Sequence, residues 1–259
     1  MNGKISYVII DTLHHKLSSI ALERSMAEFP LDDVLIFTDK PDFWEGREVI
    51  KINELRGTED YNKIMFYELP KFLKSEYAII LQYDGYVLSG AHFHEKFLDY
   101  DYIGAPWPHF ENFNVGNGGF SFRTAKLIKA VQKYLLPEDL KKPEDVIICR
   151  YLRARLEDDL NCKFAPTSIA KHFSFEMAAV DHPTFGFHGM YHLPKIMSGD
   201  VDTLLDNLSP KSAWRVIKSL AVAFQQLPNT EQTKFMKYCE KNYSEMFGIF
   251  KLNRALSNS

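Results

Sequence analysis

Apolar residues in this chain come in short dense runs, separated by stretches in which they recur every three or four positions. The run over residues 4–11 predicts a buried first strand, and the three- and four-residue spacing over 17–29 predicts a helix that ends before Pro30. Residues 34–39 and 48–52 predict a second strand and a short third. A helix over 61–73 with a kink at Pro70 then leads into 77–82, the clearest central strand. Alternation of this kind predicts an α/β fold, a mostly parallel Rossmann-like sheet flanked by helices.

Residues 99–123 are dense in Gly, Pro and aromatic side chains and predict ordered but irregular backbone, the kind of segment on which sites are built. Helices are expected to resume at 124–134 and 146–156. From Val201 the pattern turns wholly helical, with helices over 211–226 and 230–247, so we divide the chain into a domain of residues 1–200 and a helical C-terminal extension of residues 201–259. The extension carries eight Lys and Arg against five Asp and Glu. That balance fits a solvated face, or a surface that docks peripherally on a membrane or a partner.

The 259 residues are 46% hydrophobic and 25% charged, which is the make-up of a globular protein rather than of a disordered or fibrous one. A net charge of −3 gives no basic field for nucleic acid, so nucleic acid is not expected as a partner. Cys149, Cys162 and Cys239 lack any metal-ligand spacing and are expected to be buried free thiols. Neither a signal-type apolar core near Met1 nor a run approaching the ~20 apolar residues of a membrane span is present, so the expected location is cytoplasmic, with peripheral attachment at the inner membrane face as a variant of it.

In open α/β sheets ligands bind beyond the carboxyl ends of the strands. That rule singles out Asp84 after the central strand, with Gly85 allowing a tight turn, and also Thr12 and Asp39 at the ends of strands one and two. Gly116-Asn117-Gly118-Gly119 has three glycines in four residues, so its backbone can come close to a ligand or form a tight turn. It is not a phosphate-binding P-loop, since no Gly-Lys-Ser/Thr follows. Asp145 closes Pro143-Glu144-Asp145 ahead of the apolar run Val146-Ile-Ile-Cys149, where it is either a general base or a helix N-terminal charge. Pro137-Glu138-Asp139 repeats the tripeptide without the apolar run and ranks below it.

Three blocks, Leu81-Gln-Tyr-Asp-Gly85, Tyr100-Asp-Tyr-Ile-Gly-Ala-Pro-Trp107 and Val115-Gly-Asn-Gly-Gly-Phe-Ser121, resemble an uncharacterised, mostly bacterial group of GT-A-like glycosyltransferase domains, over roughly residues 4–190. The resemblance implies the GT-A fold and transfer of a sugar from a nucleotide-diphosphate donor, UDP-sugar favoured, to a glycan or lipid-linked glycan. Asp84 matches the final acid of the metal-binding D-x-D element, and Gln82 replaces the first, which weakens the case for strict dependence on Mn²⁺ or Mg²⁺. His188 in Phe185-Gly-Phe-His-Gly189 is similar to the family's C-terminal metal ligand, although a lone histidine is more often structural. By the same likeness Asp145 is the base of an inverting transfer, Gly116–Gly119 form an acceptor loop and Trp107 is a stacking platform. Tyr61 and Asn62, by position, join Thr12, Asp39, Gln82 and Asp84 around the nucleotide. Two other readings stay open: a non-catalytic GT-A-like scaffold that binds nucleotide or glycan, and a sugar nucleotidyltransferase.

Overall fold

The computed structural model describes residues 4–177, 180–197, 199–224, 227–243, 248, 250 and 251. Contacts divide the chain into two units, Met1–His188 and Gly189–Ser259.

The first unit opens with strand β1 (Ile5–Ile10), helix α1 (His15–Glu28), β2 (Asp33–Thr38) and β3 (Val49–Lys51), followed by helices α2 (Thr58–Lys63) and α3 (Leu69–Phe72). Next come β4 (Tyr77–Leu81), β5 (Gly85–Val87), β6 (Tyr102–Ile103), β7 (Ala105–Pro106), β8 (Val115–Gly116) and β9 (Phe120–Thr124). Helices α4 (Ala125–Val131), α5 (Glu144–Val146), α6 (Arg153–Leu160) and α7 (Thr167–Phe173) follow, then β10 (Ser174–Phe175) and β11 (Gly186–His188). The main sheet has the order β3-β2-β1-β4-β9-β6: β3, β2, β1 and β4 are mutually parallel and β9 runs antiparallel to both of its neighbours. Every residue of β1 and β4 is buried, as expected of parallel strands with both faces covered, which is why these strands read as unbroken apolar runs. The expected mostly parallel α/β sheet is therefore what the chain forms.

Three expectations need correction. Residues 99–123 are not wholly irregular, because they hold β6, β7, β8 and most of β9, and β9 is a fully buried strand of the main sheet. The helix over 58–72 departs from α-geometry not at Pro70 but one turn earlier, in a π-helical segment Ile64–Glu68. Pro70 has no N–H to give the Phe66 carbonyl, and Gln132 Nε2 donates to that oxygen instead. The helix expected at 146–156 is likewise split, by a π-helical segment Ile147–Tyr151 that leads into α6.

A second, three-stranded sheet, β10-β11-β5, brings the chain back past the end of β4. Gln82 and Gly85 exchange backbone hydrogen bonds at 3.0 and 3.1 Å, which makes the Asp84 turn a tight hairpin from β4 into β5. Because β11 pairs antiparallel with β5, His188 lies opposite Gly85 and beside Asp84. All three cysteines are buried free thiols.

The second unit contains helices α8 (Leu193–Ile196), α9 (Val201–Asn207), α10 (Pro210–Ala223) and α11 (Asn229–Asn242). Ser209 caps α10 by accepting from Ser212 N at 3.3 Å, and Lys234 of α11 pairs with Asp202 of α9 at 2.9 Å. The ends of the two helices expected here, at 225–226 and 244–247, and the basic residue Arg254 lie outside the described residues. Among the described residues no helix is long and apolar enough to cross a membrane.

Candidate functional site

The C-terminal ends of β1 and β4 open into a cleft of about 380 Å³, lined in part by Thr12, Leu55, Thr58, Tyr61, Asn62, Gln82, Tyr83 and Glu144. The loop that leaves β1 is built by Asp11. Its carboxylate accepts from Leu13 N (2.9 Å), His14 N (3.0 Å) and Ser18 Oγ (2.8 Å), and these bonds, with His15, hold its proton affinity below the ordinary carboxylate value against the opposing effect of burial. His14 packs against Tyr83, ring centroids 4.1 Å apart and planes tilted by 30°, and so ties this loop to the Asp84 hairpin.

Four of the expected nucleotide residues, Thr12, Tyr61, Asn62 and Gln82, meet in this cleft, yet two of them have structural tasks. Thr12 Oγ1 accepts from Leu55 N at 3.0 Å. Asn62 is fully buried and donates from Nδ2 to the carbonyls of Leu140 (2.8 Å) and Lys142 (2.7 Å), so it fastens α2 to the loop before α5. Asp39 is not part of the lining. It lies 3.0 Å from His15 Nε2, and its place at a strand end serves α1 rather than the cleft.

Asp84 and His188 form the second element of the site. His188 Nε2 is 3.5 Å from Asp84 Oδ1, a buried oxygen without a hydrogen-bond partner, and His188 Nδ1 is 3.2 Å from Glu176 Oε1. Burial disfavours the imidazolium, but Asp84 and Glu176 outweigh it and raise the His188 proton affinity to about 10, while the same contacts hold Glu176 down against its own burial. Asn117, at φ +79°, accepts from Gly119 N at 3.0 Å, which turns its Nδ2 towards His188 Nδ1 (2.8 Å); it also donates to Glu176. An unsatisfied carboxylate oxygen beside an imidazole nitrogen suits a divalent cation of the Mn²⁺ or Mg²⁺ type, with the partner on Nδ1 orienting the ring. Among the described residues no group of three or more His, Cys, Asp and Glu side chains is placed to hold a metal, so two protein donors are what this pair offers.

The glycine block is packed shut. A Cβ at Gly116 would stand 2.1 Å from the Trp107 ring, one at Gly118 2.1 Å from Glu144 Oε1, and one at Gly119 2.0 Å from His188 Nε2. These glycines let Trp107, Glu144 and His188 close on the loop, which is a different use of small residues from contact with an acceptor. Trp107 is 6% exposed and sits in the core against Gly116 and Phe110, so the role of stacking platform does not fit it.

Asp145 stands at the first turn of α5 and accepts from Gly118 N (3.2 Å) and Val146 N (2.8 Å). Burial first, and then the adjoining Glu144, raise its proton affinity to about 7. Asp139 has the opposite character. It caps the 3₁₀ turn Pro137–Lys141 by accepting from Leu136 N at 3.1 Å and pairs with Lys142 at 2.8 Å. Sequence reasoning missed Glu176, which stands in a loop with no motif around it, and also Glu144 and Arg123, although Glu144 lies inside the very tripeptide that drew attention to Asp145.

Residues 47–188, more than half of the chain, match the model of a family described as protein of unknown function, DUF5672. The chain belongs to that family. No curated protein matches this DUF5672 member. Solved structures similar to it include the apo-form glycosyltransferase GlyE of Streptococcus pneumoniae TIGR4, at 13% identity and TM-score 0.45 over 71% of this chain and 54% of that one. A glycosyltransferase involved in glycosylation of the major capsid of PBCV-1 is similar at 11% identity and TM-score 0.47, over 71% of this chain and 93% of that one. A cytidylyltransferase from Leptospira borgpetersenii serovar Hardjo-bovis (strain JB197) is similar at 13% identity and TM-score 0.42, over 87% and 97%. The DUF5672 chain thus spans about half the length of GlyE.

Proposed function

We propose that this DUF5672 protein is a GT-A-type glycosyltransferase that moves a sugar, with inversion, from a nucleotide-diphosphate donor to a hydroxyl of a glycan or lipid-linked glycan. The observation that carries the reading is a carboxylate of raised proton affinity, Asp145, held one loop away from the Asp84–His188 pair beside a cleft at the ends of parallel strands. In this reading the acceptor oxygen attacks the anomeric carbon, Asp145 takes its proton, and the carbon–oxygen bond to the diphosphate breaks with its electron pair leaving on the phosphate. A base with proton affinity near neutrality suits that step, since it is deprotonated often enough to act and basic enough to accept.

Asp84 and His188 would hold the divalent cation, oriented through Glu176 and Asn117, and the cation would supply charge neutralisation of the leaving diphosphate. A cation there would suit the charge of the cleft, whose lining includes Asp11 and Glu144 and, among the described residues, no Lys or Arg. A nucleotidyltransferase calls for a glycine-rich loop with basic residues directly after the first strand, where this chain has Asp11-Thr-Leu-His-His15. A part in surface polysaccharide or glycoconjugate assembly on the cytoplasmic side, with the C-terminal helices as a docking surface, goes with this reading as a proposal.

Calorimetry of UDP and GDP binding tests it. Affinity is expected to rise with Mn²⁺, to fall in a chelator and to be lost in Asp84→Asn. Equal affinity with and without Mn²⁺ would refute the metal assignment, and no binding of either nucleotide would refute the donor assignment.

A further inference from the structure

The loop over residues 116–119 rests on a buried charge pair for which the proposed reaction gives no role. Arg123, in the middle of β9, is fully buried, and its Nη2 donates to Glu144 Oε1. Its Nε donates to Ser121 Oγ at 2.9 Å, its Nη2 also reaches the Gly118 carbonyl at 3.4 Å, and its guanidinium lies 5.3 Å from the centre of the Tyr102 ring. Gly118 is held from three directions: its N–H donates to Asp145, its carbonyl accepts from Ser121 Oγ at 3.1 Å and from Arg123, and its Cβ direction is filled by Glu144. Glu144 Oε2 also accepts the backbone N–H of Asp145. Buried ion pairs seldom stabilise a fold more than packed apolar side chains of the same volume, so this arrangement calls for a role beyond stability.

We infer that Arg123 and Glu144 are positioning residues for Asp145: Arg123 fixes Glu144 and Gly118, and these two in turn hold the Asp145 backbone N–H and carboxylate, with the Glu144 carboxylate set against that of Asp145. The inference rests on the transferase reading only for its catalytic consequence. The groups that face Asp145 electrostatically are Glu144, Arg123 and His188, together with the Tyr61 and Tyr102 hydroxyls and the Cys149 thiol. Burial keeps the last three protonated near neutral pH, so the charges acting there are those of Glu144, Arg123 and His188.

The test is a ¹³C-carboxyl NMR titration of the free protein, with the Asp145 resonance assigned by its loss in Asp145→Asn. In Glu144→Gln the Asp145 midpoint should fall by at least about one pH unit, a tenfold loss of proton affinity, because a like charge is removed and the unpaired guanidinium attracts the carboxylate. If that variant does not fold, the double variant Arg123→Met/Glu144→Gln leaves no lone buried charge and should show a smaller fall in the same direction. A midpoint that stays at the wild-type value, or rises, while only thermal stability changes would overturn the inference and leave the pair a packing element. No donor or acceptor is present in the titration, so its outcome is separate from that of the nucleotide-binding experiment.

Discussion

Gly119→Ala probes how tightly the loop is closed on the site. Gly119 has an ordinary backbone conformation, so alanine is not excluded by φ, and the obstacle is contact alone. An ideal Cβ would stand 2.0 Å from His188 Nε2, 2.4 Å from His188 Cδ2 and 2.7 Å from Gln82 Oε1. Carbon contacts settle near about 3.5–4.0 Å, so the imidazole would have to retreat by roughly 1.5 Å. The ring has little freedom to do so, since β11 is paired to β5 and Nδ1 is engaged by Glu176 and Asn117. Overpacking of this kind costs about 1–3 kcal/mol, which is roughly 2–10 °C in Tm for a chain of this size. If His188 holds a cation as proposed, displacing its ring should also weaken metal-dependent UDP binding about 10- to 100-fold. The assay pairs thermal denaturation with calorimetry of UDP in the presence of Mn²⁺. Gly248→Ala is the control, since a Cβ there meets no atom within 4 Å; in its helical position alanine should leave UDP affinity unchanged and Tm unchanged or slightly raised. A Gly119→Ala protein with wild-type Tm and wild-type UDP affinity would refute the argument that the glycine exists to admit His188.

Asp145→Asn should abolish sugar transfer, a loss of about 10²–10⁴ in rate, and leave UDP binding intact. Because the folded state raises the proton affinity of Asp145 to about 7, its ionisation is destabilising. Wild type should therefore lose stability relative to the variant as pH rises from about 4 through 7, with the variant the more stable by about 4 kcal/mol at pH 8 and equal to wild type below pH ~4, as thermal scans would register. Asp139→Asn should behave in the opposite way. Lys142 and the Leu136 N–H lower its proton affinity against the opposing effect of burial, so its stabilisation is present above the ordinary carboxylate value and is lost as pH falls through the depressed one. Its variant should lose about 0.5–2 kcal/mol at pH 7, with the difference vanishing in acid and turnover preserved. Arg123→Met alone should cost about 3–5 kcal/mol in chemical denaturation by leaving Glu144 buried and unpaired, and adding Glu144→Gln should restore most of it.

The parallel part of the sheet was legible because β1, β2 and β4 are apolar on both faces, and such runs need no partner information to be recognised. β9 was not legible. Phe120-Ser-Phe-Arg-Thr124 follows three glycines and alternates apolar with polar, as a half-exposed strand would, yet Ser121 and Arg123 are fully buried, with the guanidinium paired to Glu144 more than twenty residues downstream. The π-helical segment before Pro70 goes with a Gln132 hydrogen bond to the Phe66 carbonyl, a contact with no local sequence signal. At the site, Asp84, Asp145 and His188 could be read from strand ends and motif blocks, whereas Glu176 is defined only by where β10 and β11 bring the chain. The glycine block was visible as an irregularity, but its use was not, because Trp107, Glu144 and His188 fill it from three separate parts of the chain.

The most direct test of the central claim is release of nucleoside diphosphate from a panel of nucleotide sugars, UDP-sugars first, incubated with the full chain and Mn²⁺ and repeated with a chelator and with Asp84→Asn. The account predicts that at least one donor is hydrolysed, that the chelator stops the release, and that Asp84→Asn is inactive while folded. Absence of release from every donor by folded, Mn²⁺-supplied protein, or release that survives both the chelator and Asp84→Asn, would contradict it.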